Sequence, residues 1–179
     1  MTSLGTKFQG NSLIFAFEEF KYFNVTYVGR GSSSFAMCIN LERINVENVK
    51  TLHGDTGYTA TSGSPFVGTK IVELYLPNLI NTTNNYAFKA GTNNSNGNLR
   101  RVIIGDKLQS LNGSYALAYA NYVSWKIYAA TPPTGAELNT LGNGTRYIYV
   151  PDESVGLYKK ASNFTRWKNN IKPISECPW

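Results

Sequence analysis

His53, in the stretch KTLHGDTGY, is the chain's single histidine, and Cys38, in FAMCINL, is one of its two cysteines. A cysteine–histidine pair needs only hydrogen-bond reach to generate a thiolate nucleophile, so these two residues are the first catalytic candidates. Their settings argue against the pairing. Cys38 has apolar neighbours, among which a thiol packs as a small hydrophobe. His53 opens a Gly- and Thr-rich stretch that reads as surface loop. Cys177 lies near the other end of the chain, and one histidine with scattered carboxylates gives no metal-ligand spacing; no metal or cofactor is expected. Glycoside hydrolysis needs two carboxylates flanking a cleft. Here Glu73 stands alone on a strand position, and Glu42 and Glu47 lie at the edges of another segment. Glu18 and Glu19 read as the exposed side of a short AFEEFKYF helix whose Phe15, Phe17, Phe20 and Phe23 cover the first turn of the fold. No catalytic residue is assigned.

The elements that would position a site come from a loose repeat. LERINV from Leu41, IVELYLP from Ile71 and LRRVIIG from Leu99 share the form apolar-x-x-apolar-x-apolar, about 28 to 30 residues apart, at or just beyond the upper end of the leucine-rich repeat range. SWKIYA from Ser124 and RYIYVP from Arg146 follow at shorter spacing. Alternate side chains of a strand point to opposite faces, so Ile44 and Val46, Leu74 and Leu76, Val102 and Ile104, Trp125 and Ile127, and Ile148 and Val150 are expected to face one way. A single short strand cannot bury such a face; stacked turns make a common core. SSSFAMCINL, NYAFKAG and SYALAYANYV are the expected returning segments, contributing Phe35, Phe88 and the 117–119 region. HGDTGYTATSGSP and AGTNNSNGN read as loops.

The last apolar layer of a stack needs a cover. Pro151 ends a strand because it has no N–H for the ladder, and Asp152 is a candidate N-cap. Val155 with Tyr158, and Phe164 with Trp167 and Ile171, fall on shared helical faces. The expected organisation is one domain: an N-terminal helical cap over 1–23, repeat turns over 24–150 and a helical cap over 151–179.

With the aliphatic set pointing inward, two outward columns remain: Arg43, Glu73, Arg101, Lys126 and Tyr147; and Asn45, Tyr75, Ile103, Tyr128 and Tyr149. Tyr beside Arg is the chemistry of recognition surfaces, large contact area joined to directed donors. Tyr also suits strands for its own sake and stacks along sheets, so both readings stand.

Composition narrows the classes further. The chain has 179 residues, 42% hydrophobic and 16% charged, a balance that suits a folded, loop-rich and β-dominated domain. No apolar run approaches the roughly 20 residues needed to span a bilayer, and MTSLGTKFQGNSLIFAFEEF lacks the basic and apolar regions of a signal peptide. The net charge of +6 is spread along the chain, with a local excess at Lys159, Lys160, Arg166, Lys168 and Lys172. No nucleic-acid-binding module surrounds it, so a solvated surface is expected there rather than a nucleic-acid partner.

FEEFKYFNVTYVG, FAMCINLERINV, and YAATPPT followed by RYIYVPDESVGLYKKASNFTRW together give the chain a family likeness. From about Leu13 to Ser175 it resembles the BspA-like leucine-rich repeat proteins of Bacteroidetes, other host-associated microbes and some phages of gut bacteria. It departs from them in long insertions after Glu47 and after Ala90, and no ladder of repeated asparagines is evident. The resemblance implies a β-rich leucine-rich-repeat solenoid of short parallel strands, irregular loops and short helices. It implies a non-catalytic binding or adhesion module for a protein or host-surface ligand, at a cell surface as part of a longer protein or on a virion. A structural or decoration part of a phage virion is the alternative; a carbohydrate-active enzyme is the distant one.

Overall fold

The computed structural model describes residues 5–29, 35–54, 64–91, 97–113, 116, 123–136, 138 and 147–179. Among these the fold is built mostly of parallel β-sheet with a few short helices, and the sheets do not close into a barrel. The chain winds alternately through two strand positions. On one side lie β1 (Ala16–Phe17) beside β3 (Arg43–Ile44), followed by a five-stranded sheet. That sheet runs β5 (Glu73–Leu76), β7 (Arg101–Ile104), β9 (Ser124–Ile127), β10 (Ile148–Val150) and β11 (Ile171–Pro173), every neighbouring pair parallel. On the other side are β2 (Tyr27–Gly29), β4 (Thr51–His53), β6 (Asn81–Thr83) and β8 (Ser110–Leu111), also all parallel, with Ser110 bridging onward to Thr134.

The inward pairs fall where alternation places them. Leu74 lies beside Val102, Val102 beside Trp125, Trp125 beside Ile148 and Ile148 beside Ile171. Leu76, Ile104 and Ile127 form the parallel row, and all of these side chains are buried in one continuous core. Ile44 is only partly buried, because β3 stops after two residues.

Among the described residues the third side of the first three turns has no strand, yet it repeats. Phe8, Phe35 and Phe66 each accept, at their carbonyls, the N–H three residues on, from Asn11, Cys38 and Thr69. Between them Gly10, Met37 and Gly68 adopt the left-handed conformation, with φ of 74°, 61° and 76°. That turns each of their N–H groups towards the next layer, onto the carbonyls of Ala36, Val67 and Ala90. Met37 holds this conformation against the Cβ penalty that glycine escapes. The rings stack in register: Phe8 on Phe35 at 5.6 Å and Phe35 on Phe66 at 6.3 Å, nearly parallel. Phe88 continues the column edge-on to Trp125 at 4.9 Å.

Several expectations are corrected. The helical stretch in AFEEFKYF is a 3₁₀ helix limited to Glu18–Phe23, preceded by β1. Its Phe20 is buried while Phe15 is left exposed. His53 is not in a loop but ends β4, because Leu52 fills a core position and draws its neighbours into the ladder. Asn48 and Asn78 each donate to a carbonyl one turn earlier, Lys21 and Glu47, so an asparagine ladder of two rungs exists. Lys107 takes the next place and reaches back to Asn78 Oδ1 at 2.5 Å. The 117–119 region, and much of the two expected loops, lies outside the described residues.

At the C-terminal end, Pro151 does follow the last residue of β10, but Asp152 does not cap a helix. It sits inside a 3₁₀ turn, Asp152–Ser154, and hydrogen bonds from the Ser175 side chain and from the Ser175 N–H, the latter at 3.1 Å, hold its carboxylate pKa below the usual range. The α-helix α1 (Val155–Lys160) then presents the buried Tyr158, which packs edge-on to Phe164 at 5.2 Å and donates to the Ala129 carbonyl at 2.8 Å. Ile171 does not share a helical face with Phe164 and Trp167. It belongs to β11, since Pro173 two residues on cannot continue a helix but fits a terminal strand.

Phe35→Ala should lower the unfolding free energy by about 3–5 kcal/mol, as expected for emptying a fully packed aromatic site; urea denaturation measures it. Burial raises the Tyr158 hydroxyl pKa well above its unfolded value. The neutral form is therefore favoured in the fold, and stability is lost as pH rises from about 10, where the unfolded chain begins to ionise. Thermal melts between pH 8 and 11 should show a smaller alkaline loss in Tyr158→Phe, which costs about 1–2 kcal/mol at neutral pH by leaving the Ala129 carbonyl unpaired.

Candidate functional site

The strand register decides which outward residues meet. Because Trp125 stands beside Val102, the residue between the inward pair of β9 is Lys126, which lies beside Ile103 and Tyr149. Ser124, not Lys126, is the neighbour of Arg101. The expected columns are corrected accordingly: one runs Glu73, Arg101, Ser124, and the other Tyr75, Ile103, Lys126, Tyr149, Lys172. Tyr128 lies beyond the end of β9, exposed. Tyr147 precedes β10, its ring 4.3 Å from Lys172 Nζ and 5.9 Å from the Tyr149 ring. Asn45 is taken up by its own turn, accepting the Glu47 N–H at its side-chain oxygen.

The face divides into an open part and a covered part. β3 is not paired with β5, and an open cleft of about 720 Å³ marks the join between the two sheets. Glu18, Glu42, Arg43, Lys70, Glu73 and Tyr75 line it. Arg43 faces Glu18 of the preceding turn at 3.7 Å, and Arg101 faces Glu73 of its preceding turn at 2.7 Å. Lys70 donates to Asn40 Oδ1 at 3.0 Å. Tyr75 is 56% exposed beside these groups, so the cleft combines an accessible ring with donors and acceptors of both signs.

Gathering Glu18, Glu42 and Glu73 at one cleft is beyond what sequence spacing shows, since they come from three separate turns. All three are exposed to water. Exposed carboxylates in this arrangement can accept hydrogen bonds from a ligand seated in the cleft.

The covered part is a finding the sequence reading missed. Tyr149, expected to be exposed, is 4% exposed because Trp179 lies edge-on to it at 6.5 Å. Burial raises its hydroxyl pKa. The Trp179 indole also lies 4.4 Å from Lys126 Nζ and 5.6 Å from the Arg101 guanidinium, and Lys126 donates to the Trp179 carbonyl.

The cysteine–histidine candidates have other partners. Cys38 is fully buried and its thiol contacts the Phe8 carbonyl oxygen at 2.8 Å; burial pushes its pKa up, away from the thiolate. His53 lies on the other sheet, with Nδ1 against Thr83 Oγ1, Nε2 3.1 Å from Asn84 Nδ2, and its ring 5.6 Å from Tyr27. Among the described residues no group of three or more His, Cys, Asp or Glu side chains is placed to hold a metal ion, and no helix is long and apolar enough to cross a membrane.

Compared with known proteins, the sequence matches no protein-family model and no curated protein.

A thiol reagent should distinguish the two cysteines. Ellman's reagent added to the native chain should titrate the half-exposed Cys177 within minutes and spare Cys38 until denaturant is added. Two thiols reacting at similar rates in the native state would contradict the placement of Cys38.

Proposed function

We propose that the chain is a non-catalytic binding module of the BspA-like leucine-rich repeat type, recognising a protein or host-surface ligand through the outer face of its longer run of strands. The observation that carries this reading is the open cleft at the join of the two sheets, where the exposed Tyr75 stands among Arg43, Glu73, Glu42 and Lys70. An exposed ring supplies contact area at low entropy cost, while paired charges supply direction. Arg43 stands on β3 and Glu73 and Tyr75 on β5, so these positions are set before a ligand arrives, which limits the ordering cost of binding. The winding parallel path and the 27- to 31-residue separation of many inter-turn side-chain bonds fit the leucine-rich-repeat solenoid that the resemblance implies. The reading places the module at a cell surface, within a longer protein, or on a virion.

A second reading, a structural part of a virion or surface assembly, is favoured by one observation. β1 and β2 are outermost in their sheets, and Leu13, Phe15 and Tyr22 beside them are well exposed, an end suited to chain-to-chain contact. Sedimentation velocity showing concentration-dependent association that is lost in Phe15→Ser would favour it.

For the first reading, biolayer interferometry of the immobilised chain against fibronectin, laminin, collagen and mucin should find at least one ligand. Tyr75→Ala should weaken that binding at least tenfold with unchanged circular dichroism. Retained affinity in the variant would remove the cleft from the binding site.

A further inference from the structure

The cations on this face are matched to rings as much as to carboxylates. Lys172 lies over Tyr147 at 4.3 Å, and Lys126 and Arg101 both face the indole of Trp179. Arg101 and Ser124 are paired neighbours on adjacent strands, and Lys126 lies two residues beyond Ser124. Both cations lie within reach of one indole, whose negative quadrupole attracts each of them. Tyr149 closes the third side by an edge contact, and Lys126 bonds the carbonyl of the same residue whose ring it faces. The group held here is thus read twice, as a ring and as a backbone acceptor.

We propose that Arg101, Lys126 and Tyr149 form a receptor for an aromatic side chain, tryptophan above all, presented by a partner polypeptide, and that Trp179 fills this receptor from within the same chain. The inference rests on the outer face being a recognition surface and adds the class of partner and its competitor. Apart from the contacts of Trp179 itself, the 174–179 segment is held, among the described residues, mainly by short-range bonds. Cys177 N–H bonds to Ile174, its thiol to the Trp179 carbonyl at 3.3 Å, and Ser175 N–H to Asp152. Lys172 pairs with Glu176 at 3.4 Å between exposed side chains, a contact of small worth. An occupant so lightly tethered is displaced by mass action when a better-presented ring arrives. Arg101 joins the receptor to the cleft, because its Nε meets Glu73 while its guanidinium faces the indole. A ligand spanning both would engage one continuous surface once Trp179 has moved.

The test uses N-acetyl-tryptophanamide, which carries both the ring and the carbonyl. In Trp179→Ala, NMR titration should show saturable shifts centred on residues 101, 126 and 149. The unaltered chain should bind the probe at least tenfold more weakly, and Trp179→Ala with Lys126→Ala should lose it at least tenfold. Absence of saturable binding in Trp179→Ala, equal affinity in the unaltered chain, or indifference to Lys126→Ala would each overturn the proposal. Should Trp179→Ala fail to fold, ¹⁹F NMR of the unaltered chain labelled with 5-fluorotryptophan decides. Excess probe should move one of three resonances to its solvent-exposed position, and a spectrum that does not change overturns the proposal. The probe needs no macromolecular ligand, so a failed search for a surface partner and a failed aromatic receptor are separate results.

Discussion

The fold depends on each turn of chain finding its backbone partners in the turns next to it. Strands of two to four residues cannot satisfy their own N–H and C=O groups, and a two-stranded ribbon of that length has no independent stability. Stacking in parallel supplies partners on both edges of every interior strand. It also fixes which side chains lie above one another, since one residue of slip would turn the apolar set outward. The side without strands obeys the same constraint by another route. Left-handed residues at Gly10, Met37 and Gly68 send their N–H groups onto the next layer. The first layers of the described stack are thus tied on all three sides, and the phenylalanine column fills the space between them.

How much of this could be read from the sequence follows from element length. The strands of four residues, β5, β7 and β9, contain two inward positions each, enough for alternation to show, and their apolar pairs are legible as ELYL, RVII and SWKI. In the second sheet, β4, β6 and β8 each bury a single residue, Leu52, Thr82 and Leu111, among polar neighbours. One buried residue has no period. NTT reads as loop on composition, and only the stacking of β6 between β4 and β8 makes it strand. The same limit hides β11, where a lone Ile171 precedes a lysine and a proline.

The site was less legible than the fold, for a different reason. Which outward residues are neighbours depends on register across segments of unequal length, and that is not contained in any one segment. Listing every second residue from Arg43 onward puts Lys126 beside Arg101; the pairing of Trp125 with Val102 shifts it by one place, to stand between Ile103 and Tyr149. The carboxylates of the cleft come from Glu18, Glu42 and Glu73, three turns whose relative positions exist only after stacking. The burial of Tyr149 depends on a residue thirty positions further along, Trp179.

These two features of the outer face are physically connected. The cleft exists because β3 ends after two residues and does not pair with β5, leaving Arg43 and Glu73 on either side of a gap instead of in adjacent rungs. Each arginine then turns to a carboxylate of the turn before it, Arg43 to Glu18 and Arg101 to Glu73. An exposed pair of this kind contributes little stability and leaves the guanidinium plane free to stack. For Arg101 the stacking partner is the Trp179 indole, shared with Lys126. Arg101 therefore belongs to both halves of the face, its Nε at Glu73 on the wall of the cleft and its guanidinium over the indole.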